Sequence, residues 1–410
     1  MIDRTIYTSI LNSIALKPVT LVTGARQVGK TTLCSKLVYD KNYNYVSLDN
    51  MAERKNAIED PKLFLQLHPY PLIIDEVQYA PMLFDAIEEI VNQKKFEGND
   101  NSGMYVLTGS QAYNLMEGVS QSMSGRVGII HMSPLSISEI KGVEERPFVV
   151  DIAENAKRYK EYSLNVTQLF EQIVRGFYPE LYDKDGLDSD DFYSDYVSTY
   201  IERDVSQIIN LNDKLKFQSF MEVLSSLTGE ELVYDNLAKI IGVSSVTIKN
   251  WISILVTGEI ITLVQPYNES SITQRVVKRP KIYFNDTGLA CYLARLNNAE
   301  VLSKSRFSGR FVETYIVNEI IKSYRNNRKD AGFYYYRDNN QNEIDLIVLS
   351  EGKLQLIECK TGTSFSKSSI SAFKCLRSTS YKIGENAIIC NTDVPYKLDM
   401  DCYAIPITSI

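Results

Sequence analysis

Residues 24–32 read GARQVGKTT and match the spacing G-x-x-x-x-G-K-[ST]. The glycines let the backbone approach a phosphate closely, so that successive N–H groups point at its oxygens. In this spacing the lysine reaches the β- and γ-phosphates, and the hydroxyl that follows it completes the shell of a Mg²⁺ ion. The predicted nucleotide-binding residues are Gly24, Ala25, Arg26, Gln27, Val28, Gly29, Lys30, Thr31 and Thr32, of which Thr31 is also a predicted metal ligand.

Two acidic residues follow an apolar run in residues 70–81, YPLIIDEVQYAP. Ligands bind at the carboxyl ends of strands in open α/β sheets. This predicts that Asp75 holds Mg²⁺ through water, and that Glu76 is catalytic and polarises the attacking water. The alternative is a capped strand end without a catalytic role. The position of the pair downstream of a phosphate loop favours the catalytic interpretation.

A third apolar run, GMYVLTGSQ at residues 103–111, ends in Thr108 and Ser110. A strand here places a hydroxyl near the γ-phosphate, and Ser110 is therefore a predicted nucleotide-binding residue. The alternative is a polar turn between a strand and a helix.

A second set of candidate residues lies near the carboxyl end of the chain. A predicted amphipathic helix, GRFVETYIVNEIIKSY, carries Glu313. A predicted hairpin, FYYYRDNNQNEIDLIVL, follows and holds Glu343 and Asp345 on its second strand, and the next strand, KLQLIECKTG, holds Glu358 and Lys360. Side chains alternate across a strand, so the last two residues point to one face. This order of groups resembles the layout of the restriction-endonuclease-like nucleases.

The resemblance to these nucleases implies a metal site. Glu313, Asp345 and Glu358 are the predicted Mg²⁺ ligands, because carboxylate oxygens suit a hard cation. Asp345, Glu358 and Lys360 are the predicted catalytic residues, with Lys360 positioning the attacking water or stabilising charge on the reacting phosphate. Glu343 shares a strand face with Asp345 and is either a ligand or a substitute for one. The alternative is a nuclease-like fold kept as a binding platform.

The periodicity of apolar residues predicts the helices and strands that position the nucleotide-binding residues. Residues 18–23, PVTLVT, predict a strand and TLCSKLVYD predicts a helix, which places the phosphate loop between them. From about 155 to 230, apolar residues recur three and four apart and predict a helical lid on the nucleotide-binding core. Arg203, in the string YIERDV, is either a phosphate sensor or part of a surface network with Glu202 and Asp204.

Residues 231–284 resemble a winged helix. The pattern predicts a helix over Tyr234–Ile241, a turn at Gly242, a second helix over Ser245–Val256 and then a hairpin wing. Such a module binds nucleic acid or serves only for packing. The predicted nucleic-acid contacts are Lys249, Arg275, Lys278 and Arg279, with Ser244, Ser245, Thr247 and Asn250 along the second helix and Lys281 also in the wing.

The strings GARQVGKTT, LIIDEVQ, LTGS and SMSGRVGIIHMSPLSISE make the first segment resemble the AAA-superfamily ATPases, in particular prokaryotic ATP-binding proteins with these motifs. The resemblance implies ATP as the nucleotide and Ser110 or Thr108 as a sensor. It also implies Arg126 as a catalytic arginine for the γ-phosphate, acting in cis or at a neighbour's site, or else as a structural ion pair. Arg175, in RGFYPE, stands where family members commonly carry glycine. Ring-type oligomers are common among such proteins, which leaves a homo-oligomer open.

Composition is that of an ordinary globular chain. The 410 residues are 44% apolar and 23% charged, with a net charge of −7, which excludes disordered and collagen-like proteins and a uniformly basic surface. Two distant histidines and six cysteines without a CxxC pair argue against structural zinc and favour reduced core cysteines. No stretch approaches the roughly 20 apolar residues of a membrane helix, so we expect a cytoplasmic protein without a membrane partner.

The sequence therefore predicts an α/β fold: an AAA-type P-loop ATPase core (1–150), a helical lid (151–230), a winged helix (231–290) and a C-terminal α/β restriction-endonuclease-like domain (291–410). The expected function is binding and hydrolysis of ATP, coupled to binding of nucleic acid, with DNA favoured, and to its metal-dependent cleavage. The rival hypothesis is an ATP-dependent switch or scaffold whose inactive nuclease-like domain binds a protein partner. A third hypothesis, a transcriptional regulator, uses only the winged helix.

Overall fold

The structure is a computed structural model, and it describes residues 2–109, 123, 125–162, 164–184, 186–205, 213–268, 279–363, 365, 367–377 and 379–410. The chain forms two compact units. One comprises Asp3–Pro134 with Thr257–Glu259, and the other comprises chiefly Leu135–Val256 and Ile260–Ile410. Both units contain helices and sheet, which confirms the α/β fold class. The finer boundaries at 150, 230 and 290 stay predictions.

The first unit contains a parallel sheet and the helices that follow its strands. Its strands are β1 (Val19–Thr23), β2 (Asn44–Ser47), β3 (Leu72–Asp75), β4 (Tyr105–Gly109) and β5 (Val127–His131). Its helices are α1 (Ile6–Leu16), α2 (Lys30–Lys41), α3 (Met51–Glu59), α4 (Pro61–Leu67) and α5 (Leu83–Phe96), with a 3₁₀ turn at Val77–Tyr79.

The second unit begins with helices. They are α6 (Ile137–Lys141), α7 (Ile152–Tyr162), α8 (Val166–Arg175), α9 (Glu180–Asp183), α10 (Ser189–Tyr200), the π-helical turn Ile201–Val205, α11 (Lys214–Ser225), α12 (Tyr234–Ile241), α13 (Ser245–Thr257), α14 (Thr287–Leu293), α15 (Ala299–Lys304) and α16 (Ser308–Asn326). Its strands and short helices are β6 (Ile261–Pro266), β7 (Lys281–Phe284), β8 (Gly332–Arg337), β9 (Glu343–Ser350), β10 (Lys353–Cys359), β11 (Lys382–Ile383), β12 (Asn386–Cys390), β13 (Tyr396–Asp399), β14 (Cys402–Pro406) and the 3₁₀ segments Lys367–Leu376 and Ile407–Ser409.

The sheet of the first unit has the order β2-β3-β4-β1-β5, and every pair in it is parallel. Strands β1, β3 and β4 are buried along their whole length, as expected for parallel strands covered on both faces. Because β4 lies between β1 and β3, the carboxyl ends of these three strands lie side by side. This order brings together three motifs that lie far apart in the sequence, between Gly24 and Ser110.

The predicted strand, loop and helix around the phosphate loop are confirmed. Strand β1 ends at Thr23 and helix α2 begins at Lys30. Gly29 precedes the helix with φ 92°, a left-handed conformation that favours glycine. An added Cβ at Gly24 would overlap the carbonyl oxygen of Met132, so close backbone approach requires glycine there as well.

The sheet of the second unit has the order β13-β14-β12-β10-β9-β8-β6-β7, with β11 paired to β10. Strand β6 runs parallel to β8, with Gln265 opposite Tyr334 and Pro266 opposite Tyr335. The hairpin β6–β7 of the predicted winged helix is therefore part of the same sheet as the predicted nuclease-like strands. This sheet crosses the predicted boundary at 290.

The helix–turn–helix outline is present as predicted. Helix α12 covers Tyr234–Ile241, Gly242 is left-handed with φ 74°, and α13 begins at Ser245, where the Ser244 hydroxyl accepts a hydrogen bond from the N–H of Thr247 at 3.0 Å. The two helices are bent by 104°, within the range of helix-turn-helix modules. The remaining predicted wing residues, 269–278, lie outside the described residues.

In the described part of the chain, no single helix is long and apolar enough to cross a membrane. The bent pair α12 and α13 passes such a test together, by length and composition alone.

The description of α16 as amphipathic was wrong. Most residues of this helix are buried on all sides. Two of its charged residues are buried with partners. Glu319 Oε2 accepts from the N–H of Ile137 at 2.9 Å, and Lys322 donates to the carbonyl of Leu135 at 2.7 Å while pairing with Glu319. The sequence pattern could not predict this burial. Polar side chains in a helix usually indicate an exposed face, but here they bond residues that are far away in the sequence.

Asp286 explains why residue 176 in the second unit is a glycine. This buried carboxylate accepts hydrogen bonds from the N–H groups of Phe177 and Leu289, both at 2.7 Å, and from the Tyr193 hydroxyl at 2.8 Å. Gly176 approaches this carboxylate so closely that an added Cβ would lie 2.7 Å from Asp286 Oδ1 and closer still to the Tyr193 oxygen. The segment RGFYPE is thus anchored to the segment NDTGLA by one carboxylate.

We expect Gly176→Ala to lower the free energy of unfolding by about 2–4 kcal/mol, because overlap is added to a backbone conformation, φ 77° and ψ −161°, that almost only glycine adopts. Gly142→Ala is the control: Gly142 also has a positive φ, +67°, but its ψ of 31° lies in the left-handed helical region, and among the described residues no heavy atom lies within 4 Å of an added Cβ. Urea unfolding of both variants measures the difference. Equal losses would contradict the assigned contact at Gly176.

Candidate functional site

The phosphate loop holds its lysine in an inward position. Lys30 Nζ donates to the carbonyl oxygens of Gly24 at 2.9 Å and Ala25 at 2.7 Å, and the residue is buried. Burial lowers the pKa of Lys30, and the carboxylate of Glu76 opposes that effect. Phosphate oxygens are stronger partners for an ammonium than neutral carbonyls, because both groups then carry charge. The loop residues therefore fit a nucleotide phosphate.

Asp75 is the acceptor for three hydroxyl groups. Its Oδ2 accepts from Thr31 Oγ1 at 2.9 Å and from Tyr45 Oη at 2.9 Å, and its Oδ1 accepts from Thr108. The predicted metal ligands Thr31 and Asp75 are thus in direct contact. A hydroxyl beside a buried carboxylate is an oxygen donor set that fits Mg²⁺. When bound, this ion would neutralise charge on the phosphates.

The sequence analysis did not identify Tyr45. It lies on β2, opposite Ile73 of β3, and the next residue but one, Ser47, lies opposite Asp75. Its hydrogen bond to Asp75 depends on which strand lies next to β3, and a local sequence pattern does not predict the order of strands in the sheet. The Thr108 hydroxyl donates to Asp75, and its expected place near the γ-phosphate stays a prediction.

We expect Tyr45→Phe to raise the Mg²⁺ concentration needed for half-maximal ATP turnover by about 3- to 10-fold, because a hydrogen bond to a charged group is lost at a partly exposed site. Turnover at saturating Mg²⁺ should change little. Tyr39→Phe is the matched control, since Tyr39 is 86% exposed. A Mg²⁺ titration of both variants tests this, and equal midpoints would contradict the role of Tyr45.

Glu76 occupies an unusual backbone position. Its φ is 57°, in the left-handed region, immediately after β3 and before the 3₁₀ turn. Such a conformation persists only where the surroundings hold it, and it is found most often at functional sites. Gln78 Nε2 donates to Glu76 Oε2, which gives the carboxylate a fixed partner from a side chain that is itself buried. Gln78 was another residue that the sequence analysis did not identify.

Arg4 also shapes the phosphate loop. Its guanidinium donates to the carbonyl oxygens of Val28 at 2.8 Å and Ser133 at 2.6 Å. The residue is buried, and it links the start of the chain to the loop and to the segment after β5. No motif marks it, because the contact joins residues 129 positions apart.

The arginine candidates have different outcomes. Arg126 lies at helix α5, where its Nε donates to Asn92 Oδ1 at 2.9 Å and its Nη1 pairs with Glu88 at 3.1 Å. These bonds correspond to the ion-pair alternative, and a role toward the γ-phosphate stays a prediction. Ser110 and the side chain of Arg203 lie outside the described residues.

A second cluster contains all the acidic residues predicted in the C-terminal part. Its centre is Lys281, whose Nζ lies 2.7 Å from Glu343 Oε1, 3.0 Å from Glu313 Oε1 and 3.7 Å from Asp345 Oδ1. The Lys281 side chain is 3% exposed. The prediction that it faces nucleic acid from the wing was wrong, because β7 directs it into the sheet's carboxylates. Glu343 and Asp345 do share a strand face, as alternation predicts.

Glu358 and Lys360 complete the cluster. Lys360 Nζ lies 2.6 Å from Glu358 Oε1, which is consistent with the predicted common face. Asp345 Oδ2 accepts from the N–H of Cys359 at 2.8 Å, so the strands β9 and β10 hold the two acids next to each other. Glu358 Oε2 is buried and has no hydrogen-bond partner among the described residues. A buried oxygen without a partner is costly unless a ligand satisfies it.

Burial and mutual repulsion change the acidity of the cluster. Burial, together with the nearby Asp345 charge, raises the pKa of Glu358 to about 8. Burial also raises the pKa of Glu313 to about 7, although Lys281 acts against it. Burial alone would lower the pKa of Lys281, but the surrounding carboxylates outweigh it and raise that pKa well above its usual range. Lys281 is therefore charged at neutral pH.

The donor chemistry fits a divalent cation, since the cluster offers carboxylate oxygens and one buried oxygen without a partner. In the present arrangement, however, the described residues include no group of three His, Cys, Asp or Glu side chains placed to hold a metal. Lys281 contacts three of the carboxylates instead.

The predicted nucleic-acid contacts are only partly described. Lys249 is exposed on α13, with its Nζ 5.6 Å from the ring centroid of Tyr234, and Arg279 is exposed before β7. Arg275 and Lys278 lie outside the described residues.

Family models match three separate parts of the chain. Residues 16–141 match a model described as an AAA domain, while residues 166–300 and 308–410 match models described as domains of unknown function, DUF8612 and DUF4143. Together with the phosphate loop and the parallel sheet, the first match makes residues 16–141 an AAA-type domain.

Related proteins cover more of the chain. The uncharacterized protein Rv2008c of Mycobacterium tuberculosis is 25% identical over 346 residues, which are 84% of this chain and 70% of that protein. The Walker-type ATPase PABY2304 of Pyrococcus abyssi is similar over 72% of this chain and 96% of that chain, with 13% identity and a TM-score of 0.44. The RuvB Holliday junction branch migration motor of Thermotoga maritima is similar over 64% and 89%, with 13% identity and a TM-score of 0.30.

Proposed function

We propose that this protein binds ATP with Mg²⁺ and hydrolyses it. The observation that carries the proposal is the contact between Thr31 and Asp75 beside the buried Lys30. Lys30 binds the phosphates, Thr31 and Asp75 would hold the Mg²⁺, and Glu76 takes the proton of the attacking water. Gln78 orients the Glu76 carboxylate, and Tyr45 with Thr108 orients Asp75.

Phosphate release from ATP by the purified full chain tests this function. We expect turnover that requires Mg²⁺ and stops in excess EDTA. ATP binding without release of phosphate would instead support the rival function, a nucleotide-dependent switch or scaffold for a protein partner.

We propose, as a second function, metal-dependent cleavage of nucleic acid at the C-terminal cluster. The specific observation is Glu358 Oε2, which is buried in a group of four acids and two lysines and has no hydrogen-bond partner among the residues that the structure describes. Glu313, Asp345 and Glu358 would hold a divalent cation, which when bound polarises a phosphate oxygen or a water molecule. Lys360 lies beside Glu358 and can stabilise negative charge on the reacting phosphate. Incubation of supercoiled plasmid and of labelled RNA with the full chain in Mn²⁺, with EDTA as the control, tests this function.

We propose that the nucleic acid is bound through Lys249 and the wing, with DNA as the favoured partner. Support comes from the helix–turn–helix geometry and the exposed position of Lys249 and Arg279. Replacement of Arg275, Lys278 and Arg279 by Gln should reduce the slope of log affinity against log salt by up to about 2.7, since each phosphate contact contributes about 0.9.

A fluorescence-anisotropy titration over several salt concentrations measures that slope. The matched control removes three charges from exposed lysines elsewhere in the same unit: Lys329, Lys353 and Lys382. If both triple variants bind DNA like the parent protein, the module serves for packing.

A further inference from the structure

Lys281 enters the carboxylate cluster from outside the predicted nuclease motifs. It is the first residue of β7, its backbone pairs with Val264 of β6, and a further bridge joins it to Glu231. Its ammonium thus reaches Glu313, Glu343 and Asp345 from the hairpin at the edge of the sheet. The hairpin is hydrogen-bonded to β8, so the position of Lys281 is set by the sheet and not by a surface loop.

The Lys281 ammonium supplies positive charge at the position where a metal ion would bind the carboxylates. Its nitrogen lies within hydrogen-bond distance of Glu343 and Glu313 and near Asp345. Two of these three acids, Glu313 and Asp345, are also proposed metal ligands. A divalent cation bound to the same oxygens would lie close to the ammonium, and like charges repel strongly at a site with little exposure to water.

A structural ion pair alone does not account for the cluster. The Tyr283 hydroxyl donates to Glu313 at 2.6 Å, and Lys360 satisfies one oxygen of Glu358. The other Glu358 oxygen is buried and finds no hydrogen-bond partner in the part of the chain that the structure describes. The cluster also holds four carboxyl groups but only two lysines. Lys281 and Lys360 therefore leave an acceptor oxygen for a further cation.

We propose that Lys281 is an internal cation that competes with the divalent metal at this site. The proposal rests on the metal site of the second proposed function and adds its regulation. With the ammonium among the carboxylates, its positive charge offsets part of the negative charge of Glu313 and Asp345, and metal binds weakly. Metal binds tightly only after the ammonium has left, so that any process that moves β7 controls the site.

The test is Mn²⁺ binding to the full chain without nucleotide, measured by the electron paramagnetic resonance of free Mn²⁺. We expect Lys281→Met to bind Mn²⁺ at least about 10-fold more tightly than the parent protein, since a competing charge has been removed. Lys281→Arg keeps the charge and should bind weakly. Lys353→Met is the matched control, because this lysine is exposed at the start of β10, and it should leave Mn²⁺ binding unchanged.

The double variant Lys281→Met, Glu358→Gln tests whether Mn²⁺ binds in this cluster. We expect it to lose the tighter Mn²⁺ binding of Lys281→Met. If Lys281→Met does not fold, Lys281→Met combined with Glu343→Gln removes the lysine together with its closest acid. A second measurement is the melting temperature with and without Mn²⁺, which Mn²⁺ should raise more in the lysine-free variants than in the parent protein.

The outcomes separate the two proposals. Suppose that the parent protein binds Mn²⁺ through Glu358 and that Lys281→Met binds it no more tightly. This result overturns the competition by Lys281 but leaves the metal site in place. Absence of Glu358-dependent binding in every variant overturns both.

Discussion

Glu76→Gln is expected to bind ATP as tightly as the parent protein and to hydrolyse it at least about 100-fold more slowly, in the range lost with a general base. The amide keeps the shape of the side chain and can still bond Gln78, but it cannot accept the proton of the attacking water. Its effect therefore appears in the transition state and not in ground-state binding. Lys30→Ala should instead lose affinity for ATP, because Lys30 binds the phosphates of the ground state.

Phosphate release under saturating ATP, and ATP affinity by calorimetry, measure the two effects separately. Glu59→Gln is the matched control: Glu59 belongs to the same unit, and its ion pair with Lys55 lies on the surface, where such pairs contribute little. Its turnover should stay within about twofold of the parent value. Parental turnover in Glu76→Gln would show that another group activates the water.

Asp345→Asn is expected to reduce cleavage of nucleic acid at least about 100-fold, while ATP turnover stays within about twofold, because the two sites use different residues in different units. Asp345 belongs to the unit formed chiefly by Leu135–Val256 and Ile260–Ile410, whereas Glu76 belongs to the other unit. The amide oxygen can still accept from the N–H of Cys359, so the fold should persist. What is lost is the negative charge that a divalent cation requires.

Nicking of supercoiled plasmid in Mn²⁺ and phosphate release from ATP, measured on the same preparation, check both parts. Asp330→Asn is the matched control, since Asp330 is exposed in the same unit. Cleavage by Asp345→Asn at the parental rate would remove Asp345 from the site. If the parent protein neither cleaves nor binds metal, the domain is a binding platform and the protein an ATP-driven switch.

The amino-acid sequence by itself determined the local parts of both sites. The spacing from Gly24 to Thr31 specifies a turn whose backbone must approach a phosphate, and its flanking strand and helix follow from apolar periodicity over adjacent residues. The two helices around Gly242 and the hairpin that holds Asp345 follow in the same way. These features are readable because hydrogen bonds and side-chain alternation act between near neighbours in the chain.

Only the tertiary structure decided which distant side chains meet. Tyr45 reaches Asp75 because β2 is the neighbour of β3, and Arg4 reaches the phosphate loop across the unit. The sequence predicted that Lys281 is a surface cation in a basic segment. Because β6 pairs with β8 and β7 pairs with β6, Lys281 at the start of β7 lies among the carboxylates instead. Sheet order and the burial of charge are set by the packing of the whole chain, so a short window of sequence does not contain them.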